Sequence, residues 1–285
     1  MVDGRAWPKA GSARLAGSGL DGVRPGGDQS SMTDQRPWGE VDLAPGASTE
    51  MTVGTLHLTL RRHKSEIWLR SDRTDQADTA DVDWERWAVP EDARIHLRPA
   101  APDRLLVVSH EYPFHLPGER AARVFVRVPV FVRVVLSSPS MDDVIALDEP
   151  SVVLSDTWWG TIESGELAYW LTTKARAEVS DELFVPHMAM CPFQLENESD
   201  EALPVDRFAV RALHLSLFRS GSRMWTDEVK VTYLADAEGS EIHFGGTSPA
   251  EQPGGERVAE PRVAVRRGLH ARTFDRLRSF SMLGG

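Results

Sequence analysis

The chain has 285 residues, 41% of them hydrophobic and 26% charged, with one cysteine and a formal net charge of -11. That length allows one large or two ordinary domains that fold without staples. The lone Cys191 excludes an internal disulfide and a multi-thiolate zinc site, and the acidic balance argues against nucleic acid as a partner. No window approaches the ~18 uninterrupted apolar residues of a membrane span, so no transmembrane segment is expected and a cytoplasmic location is.

Residues 1–31 hold seven glycines and no Phe, Ile or Tyr, and they lack the apolar stretch of a secretory signal. Met32 follows Gly26-Gly27-Asp28-Gln29-Ser30-Ser31, whose codons can spell a purine-rich ribosome-binding stretch. Translation is therefore expected to start at Met32, with residues 1–37 an extension outside the fold. After Trp38 the pattern alternates with period two. Thr52 to Arg61 reads as a half-buried strand, with Leu56, Leu58 and Leu60 on one face. Glu66 to Arg70, Arg94 to Arg98 and Arg104 to Ser109 read as further strands.

The clearest signal is Arg123 to Leu136, where Val124, Val126, Val128, Val130, Val132 and Val134 line one face. Pro129 interrupts that run and cannot donate to a ladder, which leaves an edge strand, a bulge, or a strand that bends between two sheets. Strands resume at Val152 and continue through Glu166 to Val179, His187 to Gln194, Phe208 to Phe218, Trp225 to Leu234 and Glu241 to Phe244. No repeating βα alternation occurs, so the expected fold class is all-β, with two antiparallel sandwich-like halves over residues 38–150 and 151–245 that stand apart or share one core. Residues 246–262 read as a flexible connection. In residues 263–285, Leu269, Thr273, Leu277 and Phe280 fall at helical spacing among Arg266, Arg267, Arg272, Arg276 and Arg278, predicting a short basic amphipathic helix. This helix can dock on the acidic body, lie on an anionic membrane surface, or bind a partner.

Few constellations carry chemistry. His110-Glu111-Tyr112-Pro113-Phe114-His115 has one residue too many for a zinc-hydrolase helix, and Pro113 forbids that helix. His187 and Cys191 read as packing residues. Phosphate-loop, dinucleotide and nucleophile-elbow signatures are missing, which lowers the case for an enzyme, and neither a metal nor a cofactor is expected. The richest polar and aromatic segment runs from Asp156 through Trp158, Trp159, Glu163 and Glu166 to Tyr169 and Trp170, with a second at Trp225-Thr226-Asp227-Glu228. Tryptophans beside carboxylates suit a sugar site, where aromatic faces stack on pyranose rings and two acids share the catalysis. The plainer reading makes the tryptophans sandwich anchors and leaves the acids facing water.

The strings Leu154-Ser155-Asp156-Thr157-Trp158-Trp159-Gly160, Gly165-Glu166-Leu167-Ala168-Tyr169-Trp170, Cys191-Pro192-Phe193, Leu203-Pro204-Val205, His214-Leu215-Ser216-Leu217 and Trp225-Thr226-Asp227-Glu228-Val229 resemble a prokaryotic family, the domain of unknown function 432. The resemblance runs from about Trp38 onward. It implies no activity and transfers no functional residue. Some bacterial members are encoded beside small-conductance mechanosensitive channels, which implies an accessory role at a membrane. The expected function is a cytosolic binding or regulatory module, accessory to a membrane protein such as a mechanosensitive channel or to another protein. The alternative is a carbohydrate-binding or carbohydrate-active protein using the clustered Trp and Asp/Glu residues.

Overall fold

The computed structural model describes residues 37–73, 84–234, 240–264, 269–271, 273 and 274. Their regular structure is almost all strand, as the alternating patterns require, with two single 3-10 turns at Asp181–Leu183 and Ala212–His214. The first six strands are β1 (Gly39–Val41), β2 (Ser48–Val53), β3 (Leu56–Arg62), β4 (Glu66–Arg73), β5 (Glu85–Ala88) and β6 (Arg94–Ala100). Then come β7 (Leu105–Leu116), β8 (Arg120–Pro129), β9 (Phe131–Ser138) and β10 (Met141–Pro150).

Two four-stranded sheets, β2-β3-β4-β5 and β1-β6-β9-β10, make the first sandwich. Leu56, Leu58, Leu60, Ile67 and Leu69 from one sheet meet Ile95, Leu97, Val132, Val134 and Leu136 from the other in one buried core. The stretch from Thr52 to Arg61 is a hairpin rather than one strand. Gly54 takes φ 66°, a left-handed conformation open to glycine at little cost, and the chain reverses there.

The remaining strands are β11 (Ser155–Trp159), β12 (Glu166–Trp170), β13 (Met188–Asn197), β14 (Leu203–Val210), β15 (Leu217–Ser220), β16 (Arg223–Thr226), β17 (Val229–Tyr233), β18 (Ser240–Phe244), β19 (Glu256–Ala259) and β20 (Leu269–Ala271). They build the second sandwich from the sheet β11-β12-β7-β14 and the sheet β19-β15-β16-β13-β17-β18-β20, with β8 added beside β13. Its core takes Val124, Val126 and Val128 from β8, Phe193 and Leu195 from β13, and Val205 and Phe208 from β14. The Phe193 and Phe208 rings stack with centroids 4.8 Å apart across the two sheets.

Strand pairing does not divide the chain at residue 150. After Ala100 the chain leaves the first sandwich, gives β7 and β8 to the second, and returns through Phe131. Pro129 marks that return: the long valine run is two strands in two different sheets, and the bend between sheets is the form that the proline takes. Because β7 is inserted in this way, β12 reaches it in parallel register, and β13 likewise runs parallel to β16 and β17. The other strand pairs are antiparallel.

Two further expectations are corrected. Within residues 246–262, β19 pairs with β15, so part of the expected connection is sheet. The helix expected over 263–285 is absent where the chain is described: Leu269–Ala271 pairs antiparallel with Ser240–Ile242, and Phe274 bridges Phe208. Ile242 is buried beside Phe274, and an extended segment that completes the sheet edge satisfies its backbone groups, which an isolated short helix could not do in water.

The two sandwiches are joined by backbone. The Val130 N–H donates to the His187 carbonyl at 3.1 Å, Ser151 N–H to Val130 carbonyl at 3.0 Å and Thr55 N–H to Ser151 carbonyl at 2.8 Å.

Candidate functional site

The aromatic and acidic segment forms the edge hairpin β11–β12, with Asp156 registered against Tyr169, Trp158 against Leu167 and Trp159 against Glu166. Alternation then sends neighbours to opposite faces. Trp159 is buried against Leu105, Val107, Ala168 and Ala209 on the outer side of the sheet, so it is an anchor. Tyr169 turns inward to the core of the second sandwich, and its hydroxyl donates to Asp103 Oδ1 at 3.0 Å. Burial, reinforced by Asp103, pushes that phenol up to about 12, so it stays a neutral donor at physiological pH.

Two of the three acids of this hairpin are engaged with arginines. Asp156 pairs with Arg104 at 2.9 Å and Glu166 with Arg211 at 2.7 Å. Glu163 is exposed in the turn. Large apolar side chains are exposed on the hairpin beside its polar turn residues. Trp158 is 53% exposed, Leu167 46% and Ile162, at the tip, 96%. Trp158 is held in place by its Nε1, which donates to the Thr161 carbonyl at 2.9 Å.

The second segment lies on the facing sheet. Trp225 is buried with Leu183 and Met190, and its ring meets Phe184 at 5.1 Å. Asp227 is buried, and its Oδ1 accepts the Ser216 N–H at 3.0 Å while Oδ2 accepts the Gly246 N–H at 2.9 Å. Burial pushes this carboxyl up to about 6, against the pull of its N–H donors. Glu228 pairs with Arg123 at 2.7 Å, and Arg123 also holds Glu251. The bond to Glu251, followed by that to Glu228, raises the Arg123 guanidinium.

The residues singled out in the sequence therefore fall into two groups on the two sheets of one sandwich. A sugar site needs two carboxylates and an aromatic face on one concave surface. The structure does not bring these residues together in that way. Arg266, Arg267, Arg272, Arg276 and Arg278 lie outside the described residues. The histidine pair sits on β7, where Tyr112 N–H donates to His110 Nδ1 at 3.1 Å and His115 is exposed. Among the described residues no group of three or more His, Cys, Asp and Glu is placed to hold a metal ion, and no helix is long and apolar enough to cross a membrane. Cys191 is fully buried, and burial pushes its thiol up to about 12, which makes it unreactive.

Sequence reasoning missed the hairpin tip. Neither Ile162 nor Leu167 is a residue type that signals a site: the exposure of Ile162 follows from its place in the turn, and that of Leu167 from the register of β11 on β12. Comparison with curated proteins and with solved structures finds no match for the chain. A family model described as protein of unknown function (DUF432) matches residues 37–279, essentially the whole span from β1 through the described C-terminal segment, and the chain therefore belongs to that family.

Proposed function

We propose that this chain is a non-catalytic binding and regulatory module that docks a protein partner along the β11–β12 hairpin. The observation that carries the reading is the joint exposure of Trp158, Ile162 and Leu167 on a hairpin whose outer strand ends its sheet. An edge strand offers unpaired backbone donors and acceptors, and an apolar strip beside it favours an extended segment of another protein that adds to the sheet. Tryptophan with flanking aliphatics is the composition of an interface anchor. Asp156 and Glu166 are held by arginines, and the apolar strip is the recognition feature this reading rests on. The partner class is a membrane protein such as a channel, in keeping with the accessory role implied by the family resemblance, and the module acts from the cytoplasmic side.

The test places a photo-crosslinking amino acid at Ile162 in cells that express the protein from its own locus. One membrane-protein adduct is expected, lost when Trp158→Ser is added. Adducts spread over many soluble proteins, or an adduct indifferent to Trp158→Ser, would overturn the reading.

A further inference from the structure

The second sandwich is closed on one side by the chain's own C-terminal segment. One of its sheets ends there on β14, and the other on β20, which is added beside β18. Leu269–Ala271 runs antiparallel to Ser240–Ile242, with Leu269 against Ile242 and Ala271 against Ser240. The chain then crosses at once to the other sheet, where the Ala209 N–H of β14 donates to the Thr273 carbonyl at 2.8 Å and Phe274 bridges Phe208. One short segment is thus strapped across the edges of both sheets. Thr273 and Phe274 are buried, Leu269 is half-buried and His270 is exposed.

Phe274 is the plug of this strap. It enters the core that holds Phe208 and Ile242, and its ring meets the Tyr233 ring edge-on with centroids 6.0 Å apart. Leu269 packs on the same core. The two side chains cover apolar surface that lies between the sheets and that neither edge strand covers by itself.

The strap and its seat are unequal. The seat is made of β14, eight residues long and paired along β7, and β18, five residues long and paired along β17. The strand of the strap is three residues long, and the described hold on β14 is the Thr273 bond and the Phe274 bridge. A segment with so few backbone bonds opens at a lower free energy than the strands it rests on. Once it leaves, β14 and β18 present unpaired backbone groups on either side of an apolar cleft, the form in which sheet edges accept an added strand.

We infer that the cleft between β14 and β18 is a strand-accepting site, that Leu269–Phe274 is its resident ligand, and that an extended segment of another protein takes the same seat. The chemistry of that segment is set by the occupant. It carries an aliphatic residue in the place of Leu269 and, five positions on, an aromatic one in the place of Phe274, with backbone between them that pairs with both edges. Tethering makes the occupant an internal competitor, since a segment on a short linker acts at an effective concentration in the millimolar range. The C-terminal segment is in this way an autoinhibitory strand, and capture of a partner requires its release. The cleft lies at the opposite edge of the sheet β11-β12-β7-β14 from the β11–β12 hairpin, and it does not depend on the docking proposed there.

Hydrogen exchange on the full-length wild type reads the release directly. The Ala209 N–H and the Leu269–Ala271 amides that face β18 are expected to exchange roughly a hundredfold or more faster than the amides of β13, with little dependence on urea, as local opening does. Exchange of both sets at one rate, through global unfolding, overturns an exchangeable strap. Capture is read with full-length Phe274→Ser, whose cleft has lost its plug, and a fluorescent peptide of residues 269–278. That peptide should bind the variant at least roughly tenfold more tightly than the wild type, where the tethered segment competes. The same peptide carrying Phe274→Ser should not bind. Equal binding of the two peptides, or no binding to a folded Phe274→Ser protein, overturns the site. If Phe274→Ser does not fold, the exchange pattern of the wild type decides. A wild-type dimer at micromolar concentration that is lost in Phe274→Ser would give the cleft to a second copy of this chain and overturn a partner of another sequence.

Discussion

Arg262, just after β19, grips Asp148 in β10 with both ends of its guanidinium, at 2.6 and 2.7 Å, across 114 residues of sequence. Its Nε donates to the Ala101 carbonyl at 2.5 Å, its plane lies over Phe131 at 4.9 Å, and Arg133 shares the same carboxylate at 3.0 Å. The segment between β19 and β20 of the second sandwich is thereby fastened to the first. The pair is 14% and 25% exposed, so it is neither fully dry nor a surface pair. Breaking buried pairs costs 3–5 kcal/mol, and partial hydration brings the expected loss for Arg262→Met to about 2 kcal/mol. Urea unfolding should show that loss. The exposed Arg98–Asp143 pair serves as comparison, with Arg98→Met costing at most about 0.5 kcal/mol. A cost for Arg262→Met no larger than for Arg98→Met would mean that the grip contributes nothing.

Asp227 gives the protein a defined pH response. Its carboxyl sits at about 6 in the folded chain because it is buried, and near 3.9 in an unfolded one. As pH rises from 4 to 6 the unfolded state ionises first, so this group favours folding below about 4. It loses that contribution through pH 6 and stays constant above. Two pH units correspond to about 3 kcal/mol. The difference in stability between wild type and Asp227→Asn, followed by thermal melts from pH 4 to 7, should therefore change across that interval. A difference that is flat in pH would show that the carboxylate is hydrated in the native state.

Much of the first sandwich is legible in the sequence, since Leu56-Leu58-Leu60 and the valine run state the buried faces directly. Pro129 even marks the place where the chain changes sheets. What the sequence does not carry is which sheet each strand joins. The parallel pairing of β12 with β7 depends on residues about 60 positions apart, and local alternation has no term for it. The tail misleads for a related reason. Leu269, Thr273 and Phe280 fit a helical stripe, yet β18 offers a free edge that an extended Leu269–Ala271 completes. Asp156, Glu163 and Glu166 beside Trp158 look like a sugar site because composition cannot reveal that Arg104 and Arg211, 52 and 45 residues away, already hold two of these acids.

Asn197 shows how much a turn residue can hide. In sequence it opens a polar turn. In the fold it is buried, and its Nδ2 donates to the carbonyls of Leu116 at 2.9 Å, Pro117 at 3.2 Å and Glu201 at 2.7 Å. Its Oδ1 accepts the Ser199 N–H at 3.1 Å and hydroxyl at 2.7 Å. One amide thus closes the β7–β8 turn onto the β13–β14 turn. Asn197→Ala orphans several of these groups at once, and an unpaired buried polar group costs roughly 1–3 kcal/mol. A loss of about 3 kcal/mol is expected in chemical unfolding. Asn197→Asp should also destabilise, because it replaces a donor with an acceptor facing three carbonyls. A neutral Asn197→Ala would mean that water substitutes freely at this turn.

The docking strip makes its own prediction through Gly165. A Cβ at this position would lie 2.2 Å from Trp158 Nε1, 2.5 Å from its Cε2 and 2.6 Å from the Thr161 carbonyl. No side chain fits there while the indole keeps its bond to Thr161. Gly165→Ala must therefore expel Trp158 from its seat or open the turn, at a cost of about 1–2 kcal/mol from one lost hydrogen bond and local strain. Fluorine NMR on fluorotryptophan-labelled protein, with the Trp158 resonance assigned by Trp158→Phe, should show that signal move while the buried Trp159 and Trp225 signals stay. Global stability should survive, since both sandwich cores are remote from the tip. If recognition depends on a preset indole, the same substitution should lower crosslinking from Ile162 as strongly as Trp158→Ser does. An unmoved Trp158 resonance would show that the ring does not rest on Gly165.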